Sequence, residues 1–151
     1  MKLTNGFDIS ASALTAQRFR MDVISSNIAN SDSTRARMVN GKWVPYQRKL
    51  VTIEPKQSNF AESLQNAMAG QAGGAGEGVR VTRIIEDTSP FKQVYNPTHP
   101  DADENGFVML PNVDVLKEMV DMISATRSYE ANVTALNATK AMVGKALEIG
   151  R

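Results

Sequence analysis

Residues 112–151 read NVDVLKEMVDMISATRSYEANVTALNATKAMVGKALEIGR, and the apolar spacing in this stretch decides the fold. Stepping by alternating fours and threes from Val115 meets Met119, Met122, Thr126, Tyr129, Val133, Leu136, Lys140, Val143 and Leu147. This is the heptad pattern of a helix packed lengthwise on another helix, with Thr126 and Lys140 as polar interruptions. Leu116, Val120 and Ile123 form a second stripe, so the first three turns are apolar over a wide arc and call for partners on more than one side. Asn112 is placed to cap the helix, Asp114 to favour its dipole and Gly150 to close it. At 1.5 Å per residue the helix runs roughly 55 Å, more than a sheet of short strands covers. Glu118 falls off the heptad and is expected to accept a conservative change. Leu136 lies on it and is expected to be buried once the helices pack.

The other end of the chain carries the matching element. From Asp8 to about Asn30, Leu14, Met21 and Ile28 recur every seven residues and Ile24 falls at the complementary step, while Ala11, Ala13 and Ala16 keep the flanks thin. Asp8 is a plausible cap, and Asn30-Ser31-Asp32-Ser33-Thr34 ends the helix with turn chemistry. The expected assembly interface is Leu14, Met21, Ile24, Ile28, Val115, Leu116, Met119, Val120, Met122, Ile123, Tyr129, Val133, Leu136, Val143 and Leu147. Each such side chain gains about 1.5–3 kcal/mol on burial, against about 1–2 kcal/mol to fix each backbone residue. One narrow stripe makes a lone pair of arms marginal, and packing among many arms orders them.

Between the helices the chain reads as strands and loops. Strands are expected over Trp43–Glu54, with Pro45 confining its start to an edge, and over Val79–Glu86, Phe91–Tyr95 and Phe107–Leu110. Asn59–Met68 suits a short helix, and the Gly-rich run 70–78 a flexible loop. The expected class is α+β: long terminal helices pairing as a coiled-coil-like layer around a small β-rich middle. The expected segments are a helical one over 1–34, a β-rich middle over 35–111 and a second helical one over 112–151.

Composition and motifs narrow the function. The 151 residues include no cysteine, which excludes disulfides, thiolate metal sites and a Cys nucleophile. No run approaches the length of a spanning helix, and residues 1–20 lack the apolar core of a cleaved signal peptide. Residues 1–50 carry a net charge of +5 and residues 101–151 a net charge of −3, so the two ends attract. Asp101-x-Asp103-x-Asn105-Gly106 matches the first half of a calcium loop, but position twelve is Asn112 in place of a bidentate Glu, and Pro100 and Pro111 deny the flanking helices. A polar turn without metal is the expected reading. His99, the only histidine, sits between prolines, and neither a nucleophile triad nor a phosphate cradle is present, so no catalysis and no cofactor are expected. Arg18, Arg20, Arg35, Arg37, Lys42, Arg48 and Lys49 surround Trp43 and Tyr46, which keeps a nucleic-acid module as a minor alternative; a pI near 8 weighs against it. A coiled-coil adaptor is the stronger alternative to a polymer subunit.

The two ends also resemble a known family. Residues 12–30, Ser12-Ala13-Leu14-Thr15-Ala16-Gln17-Arg18-Phe19-Arg20 through Ser26-Asn27-Ile28-Ala29-Asn30, look like the amino-terminal signature of bacterial flagellar rod and hook proteins. Asn96-Pro97-Thr98-His99-Pro100-Asp101, Pro111-Asn112-Val113-Asp114-Val115 and Arg127-Ser128-Tyr129-Glu130-Ala131-Asn132 narrow the resemblance to the proximal rod. Thr34-Arg35-Ala36 departs from the Thr-x-Gly-Tyr of many members, which favours the proximal rod over the hook. The resemblance implies a structural subunit of the basal body, exported by the flagellar type III apparatus without a cleaved signal. It implies polymerisation through the terminal helices, with copies of itself and other rod proteins as partners, into a hollow torque-transmitting shaft. It implies neither nucleic acid nor membrane insertion.

Overall fold

In chain order the elements are α1 (Asn5–Ala29), β1 (Arg37–Val39), β2 (Lys42–Val44), β3 (Lys49–Pro55), β4 (Val79–Glu86), β5 (Lys92–Tyr95), β6 (Phe107–Leu110) and α2 (Val115–Ile149). The computed structural model describes residues 5–56, 64, 68 and 78–149. The expected helix over 59–68 and loop over 70–78 lie outside the described residues, apart from Leu64 and Met68, both helical, and Gly78. No described helix is long and apolar enough to cross a membrane.

Three two-stranded ribbons, β1–β2, β3–β4 and β5–β6, form the β part. The expected strand over 43–54 is split, because Pro45 to Arg48 leave the ladder. β1 was not expected, although Asn40-Gly41 marks it: both residues have positive φ (51° and 79°), and Val39 pairs with Lys42 across this two-residue turn. β5 and β6 are antiparallel and place Tyr95 edge-on against Phe107, with ring centroids 5.4 Å apart. Gly106 closes their connection at φ 78°, where a Cβ would lie 3.0 Å from the Tyr95 ring. The glycine of the calcium-like half motif is therefore a turn requirement.

By compactness the chain divides into two units. The first comprises residues 1–19, 52–83 and 125–151, and the second comprises 20–51 and 84–124. Both helices and the β3–β4 ribbon contribute residues to each. In the first unit Gly6 of α1 faces Thr139 of α2, and the Ser12 hydroxyl accepts the N–H of Val79 at 3.1 Å while donating to the Ile9 carbonyl at 2.7 Å. Its most buried side chains are small: Ser10, Ala16 and Ala125. In the second unit Asn27 of α1 meets Glu118 of α2 and Arg20 meets Asp121, which makes the helices antiparallel. Around them are buried Val23, Ile24, Tyr46, Val108, Pro111 and Val113. The expected α+β class and the pairing of the terminal helices hold.

Candidate assembly interface

The face that α2 covers within the chain is a heptad, shifted in half of its positions from the one the apolar residues trace. Positions 118, 122, 125, 129, 132, 136, 139 and 143 run down the covered face, flanked by half-buried Asp121, Thr126, Ser128 and Val133. Met122, Tyr129, Leu136 and Val143 belong to both patterns. The complementary set is Glu118, Ala125, Asn132 and Thr139, one residue before Met119, Thr126, Val133 and Lys140. These residues are small or polar, so a count of apolar residues passes over them. On α1, Ile24 is buried and Leu14, Met21 and Ile28 are half-buried, while the deepest neighbours are Ser10, Ala16, Val23 and Asn27.

Glu118 differs most from expectation, since it is only 1% exposed. Arg48 reaches its Oε1 with Nε at 2.6 Å and Nη2 at 2.5 Å, and Asn27 donates to its Oε2 at 3.0 Å. The Arg48 guanidinium also lies 3.4 Å from Asp121 and 3.6 Å from Asp87. Asn27, also 1% exposed, spends its second Nδ2 proton on the Lys49 carbonyl at 2.9 Å, and its Oδ1 accepts the Lys49 N–H and the Tyr46 hydroxyl, each at 3.0 Å. Its amide therefore makes all four bonds open to it. It pairs with Lys49 as a neighbouring strand residue would, holding the start of β3 against α1. Asn112, expected as the cap of α2, bridges the β segments instead: it accepts the Arg48 N–H at 2.7 Å and donates to the Asp87 and Ser89 carbonyls. Asp114 is the cap, accepting the N–H of Leu116 at 3.1 Å.

The basic segment is largely engaged. Arg20 pairs with Asp121, Arg35 with Asp101, Arg37 with Glu86, and Lys49 lies over the Tyr46 ring. Asp101 also accepts the Thr34 hydroxyl at 2.8 Å, so its carboxylate holds the 96–106 connection to the segment between α1 and β1. The Arg35 hydrogen bond, then that of Thr34, keeps the Asp101 carboxyl below the usual carboxylate range. Asp87 is lowered likewise, first by the Ser89 hydroxyl and N–H and then by Arg48.

The opposite face of α2 is apolar and uncovered. Leu116, Met119, Val120 and Ile123 are 76, 51, 66 and 61% exposed, while Val115 and Leu147, exposed too, lie at the two ends of the covered heptad. Singly exposed apolar residues are ordinary; a contiguous stripe of them on one helix is not.

Residues 7–37 match the family described as flagella basal body rod protein, and residues 104–149 match the flagellar basal body rod FlgEFG protein C-terminal family. These regions hold most of α1 and α2, and they place the chain in the class of flagellar rod proteins. It is 60% identical to the flagellar basal-body rod protein FlgC of Bacillus subtilis over all of both chains. It is 44% identical to that of Salmonella typhimurium over all of both chains, and 42% identical to that of Borreliella burgdorferi over 99% of this chain and 98% of the relative. The chain belongs to the FlgC family of flagellar basal-body rod proteins, and its place is the basal body.

Proposed function

We propose that this chain builds the proximal rod by polymerising through its terminal helices, and that the Leu116–Met119–Val120–Ile123 stripe is where a neighbouring rod subunit packs. The observation that carries this is the exposure of that stripe on a helix whose other face is already satisfied within the chain. Four such side chains leaving water offer about 1.5–3 kcal/mol each, repeated in every copy. The partners are further copies of the chain and other rod proteins, and the product is a hollow shaft that carries torque from motor to hook. Delivery is through the flagellar type III export apparatus. The role is mechanical and not catalytic, and the ion pairing of the basic segment speaks against a nucleic-acid partner.

The test is Val120→Asp. At an exposed site it changes the stability of the free chain by no more than about 0.5 kcal/mol. Cells carrying only that copy are expected to make and export the protein and yet lack rods and fail to swim. Normal swimming with normal rods would refute the reading.

A further inference from the structure

The sequence contains three Asn-Gly pairs, at 5–6, 40–41 and 105–106. The first begins α1; the second joins β1 to β2, and the third leads into β6. We infer that Asn40, and not Asn105, is a site of spontaneous covalent ageing in the folded chain, its amide lost through a cyclic imide closed by the Gly41 nitrogen. The step needs only water and base. Once solvent base removes the Gly41 N–H proton, the nitrogen attacks Cγ of Asn40. The bond from Cγ to Nδ2 breaks, and Nδ2 takes up protons and leaves as ammonia. Water then opens the ring. Addition at Cγ gives aspartate; addition at the main-chain carbonyl carbon gives isoaspartate, in which the chain runs on through the former side chain. In sum, one amide and one water become one carboxylic acid and one ammonia. Glycine favours ring closure because it has no Cβ to obstruct the approach of its nitrogen.

Asn40 and Asn105 are both exposed, so the amides do not differ in access; the attacking nitrogens do. Gly106 is buried, and its N–H donates to the Asp103 carbonyl at 2.8 Å. Its carbonyl accepts the Asn96 N–H at 2.9 Å, and the Asp103 N–H donates to the Phe107 carbonyl at 2.9 Å. The Tyr95 ring and Pro97 stand 3.0 and 3.3 Å from where a Cβ of Gly106 would lie. That nitrogen is engaged and its peptide is held on both sides. Gly41 is exposed and has nothing within 4 Å of the same point. Its turn is closed by the Val39–Lys42 pair, which leaves the Gly41 N–H outside the ladder.

Ring closure also requires the Asn40 backbone, now at φ 51°, to rotate out of the turn. The ribbon permits this. β1 and β2 are three residues each, all exposed except half-buried Val44. A two-stranded hairpin without a covered face opens at little cost. β5 and β6, by contrast, bury Val108 and set Tyr95 edge-on against Phe107. Isoaspartate at position 40 would lengthen the backbone inside a two-residue turn, so the Val39–Lys42 and Met38–Trp43 pairings would no longer fit together.

The test is to hold the full chain in mildly alkaline buffer, folded and in concentrated urea, and to follow amide loss at positions 40 and 105 by mass-spectrometric peptide mapping. In the folded chain Asn40 is expected to react about fivefold or more faster than Asn105, the worth of one backbone hydrogen bond. Its product should contain both aspartate and isoaspartate, and its rate should rise with hydroxide. In urea, where neither turn exists, the two rates should converge. Asn105 keeping pace with Asn40 in the folded chain would overturn the inference, as would a ratio just as large in urea, since the fold would then not set it. Asn40 retaining its amide over the period in which the unfolded chain loses it would also overturn the inference. Aspartate without isoaspartate would do the same, because no imide would then have formed.

Discussion

The two units of this chain hold their helices together by opposite means. In the unit of residues 20–51 and 84–124, the largest fully buried side chains are Glu118, Asn27 and Pro111, and the contact is a saturated polar network around one guanidinium. In the other, Ser10, Ala16 and Ala125 let the helices approach, Ala125 has no exposed surface, and the buried Oε1 of Gln17 has no hydrogen-bond partner among the described residues. A polar network is specific in direction, since every donor must meet its acceptor. A seam of small residues is tolerant in direction and intolerant of volume.

Removing a partner from the network should have the largest effect. Arg48→Ala leaves the Glu118 carboxylate buried against the Asn27 amide, and breaking a buried pair in this way costs about 3–5 kcal/mol. Urea denaturation followed by circular dichroism is the check. A loss under about 1 kcal/mol, the value of an exposed pair, would remove the contrast between the units. In the other unit volume should matter instead. Ala125→Leu forces extra methylenes into a filled seam and is expected to destabilise by about 1–3 kcal/mol. Ala125→Ser, nearly equal in volume, should cost less than Ala125→Leu; the reverse order would show that polarity governs this unit as well.

The smallest effect is one of pH. Asp101 and Asp87 titrate below the usual carboxylate value in the folded chain, so both stabilise it fully above about pH 4, and that contribution is lost as pH falls through their lower folded values. Asp101→Asn keeps an acceptor for Thr34 but removes the charge facing Arg35. Its denaturation midpoint should therefore fall less steeply than the parent's below about pH 4. Parallel curves would mean that the Arg35 pair contributes nothing to the fold. Asp87→Asn should act in the same direction within the polar unit.

The sequence was legible where periodicity alone decides. Both terminal helices, their pairing and the spans Val79–Glu86 and Phe107–Leu110 follow from the apolar pattern and its breakers. Half of the covered heptad on α2 was not legible, because buried Glu118 and Ala125 and half-buried Asn132 and Thr139 are covered through partners and small size, not apolarity. Glu118 reads as solvent-facing until Arg48 and Asn27, 70 and 91 residues away in sequence, are placed beside it. The β1–β2 hairpin, by contrast, was available: Asn40-Gly41 between Val39 and Lys42 is a strong local signal. Leu116, Val120 and Ile123 form a stripe whose width in the sequence calls for a second partner, and within the chain they are exposed.

That uncovered stripe is the central claim, and accessibility tests it most directly. Val120→Cys places a single thiol on the stripe of a chain that has no other, and Glu104→Cys places one on the exposed β5–β6 connection as a reference. Each is treated with a maleimide, first as the free full chain and then in intact basal bodies isolated from swimming cells. In the free chain both thiols should react at comparable rates. In basal bodies Cys at position 120 should be protected by a factor of about ten or more, which corresponds to only about 1.4 kcal/mol of preference for the covered state, while the reference site need not change. Equal labelling of position 120 in the free chain and in the basal body would contradict the account, because the stripe would then face water in the assembled rod.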